Sequence, residues 1–144
     1  MYYQFHNMLS PAKLNLGLRI VGKRADGYHL LKSVFCLIDL CDQIEMQITK
    51  NGKISLIEHQ QAWFYQKDLS YRAAKLLQEH THSNLGANIK IKKVIPSGAG
   101  MGGGSSNAAA VLIVLNKLWN TGLNCAELMQ LGLQLGADVP FFIQ

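Results

Sequence analysis

Cysteine is scarce and badly spaced for cross-linking: Cys36, Cys41 and Cys125 form an odd set with no CxxC pair. That excludes a disulfide framework and points to a reducing cytosol, with Cys36, inside an apolar run, serving as a small hydrophobe. No stretch approaches the length of a membrane span, and the opening residues have neither the basic-then-apolar layout of a secretory signal nor an Arg/Ser-rich transit composition. A soluble, untargeted cytoplasmic protein without a membrane partner is expected. Histidines His6, His59, His80 and His82 show no metal-ligand spacing. Acidic residues are the minority, 9 against 14 Lys and Arg, which gives a formal charge of +5. The basic residues are nonetheless dispersed, and only Lys90, Lys92 and Lys93 cluster. That pattern suits a phosphate-bearing small ligand better than a nucleic acid.

A hydrophobic content of 49% over 144 residues is enough for one ordinary core and a single domain. Leu14, Leu16, Leu18 and Ile20 alternate with polar residues, predicting a strand with the leucines inward and Lys13 and Asn15 on its other face. Asp26-Gly27 marks a turn, and Ser33 to Ile38 reads as a more deeply buried strand. Ile44, Met46 and Ile48 alternate again, and Asn51-Gly52 predicts a hairpin returning into Ile54–Ile57. Asp68 caps a helix whose Leu69, Ala73, Leu76 and Leu77 share one side. A strand from Ala87 to Ile95 follows, then a helix apolar almost all round from Ala108 to Leu118 and therefore buried. Asn124 and Glu127 have capping-box spacing for a last helix carrying Leu128, Leu131 and Leu135, closed by Gly136. Strands come first and helices later, so the expected fold is α+β: two layers, a mostly antiparallel sheet packed on helices.

Between strand and buried helix lies Pro96-Ser97-Gly98-Ala99-Gly100-Met101-Gly102-Gly103-Gly104-Ser105-Ser106, with five glycines in the seven positions 98–104. So many glycines are costly in chain entropy, and a purely structural turn needs fewer. Bare backbone lets successive N–H groups converge on phosphate oxygens, the helix N-terminus adds partial positive charge, and Ser105 or Ser106 offers a hydroxyl or a cap. Gly103 in particular is expected to need both close approach and positive φ. Gly98, Gly100 and Gly103 also satisfy GxGxxG, but the preceding strand alternates Ile with Lys and no acidic second strand follows, as a dinucleotide fold requires. A Walker A loop needs Lys where Gly104 stands.

Proline, alternating glycines and Gly-Gly-Gly-Ser-Ser opening an alanine-rich helix resemble the phosphate loop of the GHMP kinases, named for galactokinase, homoserine, mevalonate and phosphomevalonate kinases. Three more stretches are similar to the diphosphocytidyl-methylerythritol kinases within that superfamily. They are Ser10-Pro11-Ala12-Lys13-Leu14-Asn15-Leu16, Arg24-Ala25-Asp26-Gly27-Tyr28-His29 and Leu135-Gly136-Ala137-Asp138-Val139-Pro140-Phe141. The resemblance runs from about Leu9 to the end and is weakest between Glu58 and Asp68. It implies a ribosomal protein S5 domain 2-like fold and an ATP- and Mg-dependent kinase whose acceptor is a cytidine diphosphate-linked methylerythritol. It implies that residues 96–106 cradle the ATP phosphates, that Asp138 is the base and Lys13 its charged partner, and that Asn15, Tyr28 and His29 hold the substrate.

Taken singly, these residues have plainer readings. Asp138 before Val139-Pro140 is a ready helix cap, Lys13 a solvated strand lysine, and His29 an ordinary loop histidine. One departure concerns adenine: the resembling family carries Asp-Asn-Leu where Lys67-Asp68-Leu69 stands here, and Asp cannot donate as an amide does. The Mg ligand and the oligomeric state are not legible. The resemblance also implies a second domain of comparable size beyond Gln144, so residues 1–144 alone are expected to be inactive. Exposed apolar residues around Val139, Phe141, Phe142 and Ile143 would then favour self-association. Two alternatives stay open: another GHMP kinase with a different alcohol, and an idle nucleotide-binding module.

Overall fold

The computed structural model describes residues 4–58 and 65–144, without the side chains of Leu18, His29, Leu30, Leu31 and Tyr65. Among the described residues four strands make one sheet in the order β1-β2-β4-β3. They are β1 (His6–Lys23), β2 (His29–Thr49), β3 (Ile54–Ile57) and β4 (Gly86–Lys92). Helices α1 (Leu69–Thr81), α2 (Gly103–Leu118), α3 (Cys125–Leu135) and the short α4 (Val139–Ile143) complete the fold. The architecture is the expected α+β one, and no helix among the described residues is long and apolar enough to cross a membrane.

Ile44, Met46 and Ile89 are fully buried against Ala73, Ala74 and Leu77 of α1 and Ala108, Ala109, Val111, Leu112 and Leu115 of α2. The alanines let helix and sheet backbones approach, so α2, apolar nearly all round, sits at the centre of the helical layer. Asp68 caps α1 by accepting from the Ser70 N–H at 2.7 Å, and Asn124 and Glu127 close a full capping box on α3.

Three expectations are overturned. The strands expected at 33–38 and 44–48 are one strand, β2, which pairs with β1 from His29 to Met46 through three register shifts. Asn51-Gly52 makes its turn, with Gly52 at φ 68° and the Asn51 side chain accepting from the Lys53 N–H, but no hairpin follows. Instead β4 enters between β2 and β3, antiparallel to β2 and parallel to β3. The turn propensity is local, whereas strand pairing is decided by which strand can also bury Ile89 under α1 and α2.

The third concerns burial. Leu14, Leu16, Ile20, Val34 and Leu37 are 42–65% exposed, and Cys36 is exposed too. Lys13, expected on the solvated face, is 6% exposed. The outer part of the β1–β2 ribbon extends past the helical layer, so from Leu14 outward neither face of β1 is covered, and Asn15 is exposed as well as Leu16. Val139 and Ile143, conversely, are buried, packed on the bare backbone of Gly132, so the chain's last helix belongs to the core.

At the sheet's far end a Cβ on Gly86 would stand 2.1 Å from the Lys53 carbonyl oxygen and 2.6 Å from the Thr49 hydroxyl. This glycine lets β3 and β4 close together beside β2. Gly86→Ala is expected to destabilise the protein by about 1–3 kcal/mol through forced separation of these strands, read as a lower urea midpoint; an unchanged midpoint would show that the junction yields freely.

Candidate active site

The loop from Pro96 to Gly102 joins the end of β4 to the start of α2. Gly98, Gly100 and Gly102 have φ of 74°, 72° and 71°, a backbone region that side chains disfavour. Gly103 does not share it: as the first residue of α2 it is close-packed, a Cβ there meeting Ile95 at 3.0 Å. The expectation of positive φ therefore moves from Gly103 to Gly102. The loop lines a cleft of about 530 Å³, with Asp68, Leu69, Ser70, Lys93, Ser105 and Asn107 completing its wall. Of the two serines, Ser105 faces this cleft, while Ser106 is buried and accepts a hydrogen bond from the Ser10 hydroxyl at 2.7 Å.

Lys13 is brought to the other side of the same loop. Its backbone N–H donates to the Met101 carbonyl at 2.9 Å, and a Cβ on Gly102 would meet Lys13 Cγ at 3.0 Å. Lys13 Nζ lies 3.0 Å from Asp138 Oδ2 and 3.9 Å from the centre of the Phe35 ring. Phe35 in turn meets Phe141 edge-on, with ring centres 5.1 Å apart. Asp138 stands at the N-cap position of α4 but makes no capping hydrogen bond; its carboxylate, 38% exposed, goes to Lys13 instead. A buried ammonium beside an accessible carboxylate, at the lip of a cradle of N–H groups, suits transfer of an anionic group to a hydroxyl.

The remaining residues singled out from the sequence are farther out. Asn15 is exposed on β1, its Oδ1 accepting from the Ser33 hydroxyl at 2.9 Å. Tyr28 is 74% exposed at the ribbon tip, its N–H bonded to Asp26. Lys23, paired with His29 at that tip, lies ten positions along β1 from Lys13, up to roughly 30 Å of extended chain. Among the described residues no hydrogen bond or ring contact joins Tyr28 to Lys13, Asp138 or the loop; the His29 side chain and His59 lie outside the described residues.

Sequence reading missed Asp42. It is fully buried, and its Oδ1 accepts from the Val94 N–H at 2.7 Å and the Ile95 N–H at 2.8 Å. Its Oδ2 accepts from Asn107 Nδ2 at 2.9 Å and pairs with the Lys93 ammonium. The signal was present: Asp42 is in phase with Ile44 and Met46, so a carboxylate occupies a core-facing position, where an acid stands only if it is satisfied. Lys93 was noted only as part of a basic cluster, and Asn107, which follows Ser106 at the loop's end, was given no role.

A family model for the N-terminal domain of GHMP kinases matches residues 68–144, more than half of the chain. The chain belongs to the GHMP kinase family. Its sequence is 54% identical over 134 residues to 4-diphosphocytidyl-2-C-methyl-D-erythritol kinase of Neisseria gonorrhoeae (strain NCCP11945), covering 93% of this chain and 48% of that protein. The kinase of the same name from Actinobacillus pleuropneumoniae serotype 5b (strain L20) is 51% identical over 135 residues, 94% of this chain and 47% of that protein. A solved 4-(cytidine 5'-diphospho)-2C-methyl-D-erythritol kinase superposes with a TM-score of 0.83 at 40% identity, over 96% of this chain and 48% of that one. This GHMP kinase chain thus spans about half the length of the curated relatives it matches.

Burial raises the Asp42 pKa, but Lys93, the Ile95 and Val94 N–H groups and Asn107 together outweigh it, leaving the carboxyl below its ordinary 3.8. A depressed carboxyl stabilises the fold fully above its unfolded value, and that contribution is lost as pH falls through the folded one. Stability is therefore expected to fall as pH drops below about 4. Asp42→Asn should lower stability at pH 7 and flatten this acid limb, measured as urea midpoints at several pH values; an unchanged limb would show that other carboxyls set it.

Proposed function

We propose that this chain is the nucleotide-binding half of a kinase that moves the γ-phosphoryl group of ATP to the 2-hydroxyl of 4-diphosphocytidyl-2-C-methyl-D-erythritol, releasing ADP. The reaction is a cytoplasmic step of non-mevalonate isoprenoid synthesis. The observation that carries the reading is the Lys13–Asp138 pair at the lip of the glycine cradle. Relatives about half identical to the chain bear that kinase's name.

Phosphoryl transfer passes through a loose transition state and needs positioning and charge compensation more than covalent chemistry. In this reading residues 96–106 form the phosphate cradle, the N–H groups between Ser97 and Ser105 holding the phosphates and Ser105 adding a hydroxyl. Asp138, the exposed partner of the pair, accepts the hydroxyl proton or orients it for attack. Lys13, fixed over Phe35 and shielded from water, keeps a positive charge where negative charge gathers on the transferred group. Asn15, Tyr28 and His29 lie along the ribbon and hold the rest of the acceptor, with Tyr28 and His29 on the cytosine.

Among the described residues no group of three or more His, Cys, Asp or Glu is placed to hold a metal ion. Magnesium, which keeps its waters and rides on nucleotide phosphates, needs no such cage, and Ser105 supplies an oxygen atom at the cleft. Bound there, it would neutralise phosphate charge.

A coupled ADP-release assay of the protein that carries this chain, with the cytidine substrate against a panel of other alcohols, tests the assignment. Asp138→Asn is expected to lower kcat by about a hundredfold or more and leave ATP affinity nearly intact; unchanged turnover would return Asp138 to a structural part. Gly102→Val is expected to abolish ATP binding, because its Cβ meets Phe142 at 2.9 Å and Lys13 at 3.0 Å in a backbone region disfavoured for valine. Calorimetric ATP affinity retained by a folded variant would remove the loop from the phosphate site.

A further inference from the structure

Asp42 does not itself line the cleft, yet every donor it holds belongs to a segment that does. Lys93 and Asn107 line the cleft, and Val94-Ile95 leads straight into Pro96, where the loop begins. The two carboxylate oxygens divide the loop between them. Oδ1 takes the two N–H groups at the loop's entry, and Oδ2 takes Asn107, in the first turns of α2 at the loop's exit. One rigid, planar group thereby fixes the distance between the ends of a segment whose glycines give it little stiffness of its own. The orientation of Asn107 follows as well: an ionised carboxylate only accepts, so the amide must present its nitrogen. Ile95, held by Asp42, is also the side chain on which Gly103 packs.

We propose that Asp42 is a positioning residue of the nucleotide site, setting the spacing of the loop's two ends so that its N–H groups converge on phosphate. This deepens the kinase reading above and rests on it. A buried negative charge behind a phosphate cradle makes the idea unusually testable, because electrostatics and positioning predict opposite signs. By Coulomb's law alone, removing the Asp42 charge should tighten binding of a polyanion. If Asp42 sets the loop, Asp42→Asn should weaken it, since the new amide puts a donor against Lys93 and Asn107 and releases the loop's exit from its entry.

The test is calorimetric titration of the protein that carries this chain with AMP, ADP and ATP, for wild type, Asp42→Asn and Leu128→Ala, a core truncation in α3 away from the cleft. Asp42→Asn is expected to weaken ATP binding about tenfold or more, the scale of a buried charged hydrogen bond, with the loss growing from AMP to ATP. Leu128→Ala is expected to lower the urea midpoint while its folded form binds ATP as wild type does. ATP affinity unchanged or tightened in Asp42→Asn, or AMP and ATP weakened equally, overturns the proposal while the kinase reading stands. A wild-type protein that binds no adenine nucleotide overturns both. Where Asp42→Asn does not fold, Asn107→Leu removes one of the carboxylate's donors at similar volume; it should weaken ATP more than AMP, and unchanged ATP affinity again overturns the proposal.

Discussion

Bare backbone suits phosphate, but it cannot hold its own shape: every side chain left out of the glycine loop is a contact it cannot make. The loop's geometry must come from outside. Asp42 of β2 grips its entry and, through Asn107, its exit. The Lys13 N–H of β1 takes the Met101 carbonyl near its middle, and the Ser10–Ser106 hydrogen bond ties the first turn of α2 to the same strand. Ile95 and Phe142 press on the glycine backbone at 103 and 102. Strand, helix and the last residues of the chain all converge there, and much of the fold is arranged to give a nearly featureless segment one conformation.

The Lys13–Asp138 pair reads differently. Its lysine is buried and its carboxylate is not, so the ammonium gives up water for a partner whose attraction is screened by solvent. Half-exposed ion pairs contribute about 0–1 kcal/mol to stability, and desolvating an ammonium costs more than that unless other groups help. Phe35 helps, placing its ring face beneath the charge. What remains is an arrangement poor as a staple, with its carboxylate meeting solvent while its ammonium stays largely buried.

Much of this was legible in the sequence, and the gaps have physical causes. The glycine loop, the caps at Asp68 and Asn124 and the buried α2 depend on local chemistry, and a local reading finds them. The Asn51-Gly52 turn was equally legible, but its partner strand was not, because β3 and β4 pair across a helix. The burial along β1 was misread because alternation shows that two faces differ without showing how far along the strand the helices reach, and Leu14 and Leu16 lie beyond them. Asp138 carried a cap-like sequence context and uses none of it, since its side chain is drawn to a lysine far away in the chain. Asp42 went unseen because one acid in a strand reads as solvated unless its phase with Ile44 and Met46 is followed one step further.

The unexpected strand order carries the same logic. With a simple hairpin between β2 and β3, β4 would lie one strand farther from β1, about 4.8 Å more. The loop leaving β4 would then have to cross two strands before reaching Lys13. Because β4 pairs directly with β2, its next residue in register after the Gln43–Lys92 pair faces Asp42. At that point the ladder stops and the Asp42 side chain replaces β2's backbone as acceptor for the departing N–H groups. The carboxylate thus ends the strand and starts the loop in one step. From there the loop has only β2 to cross before Met101 meets Lys13. The crossover through α1 that inserts β4 into the sheet is therefore what brings the glycine loop and the Lys13–Asp138 pair side by side.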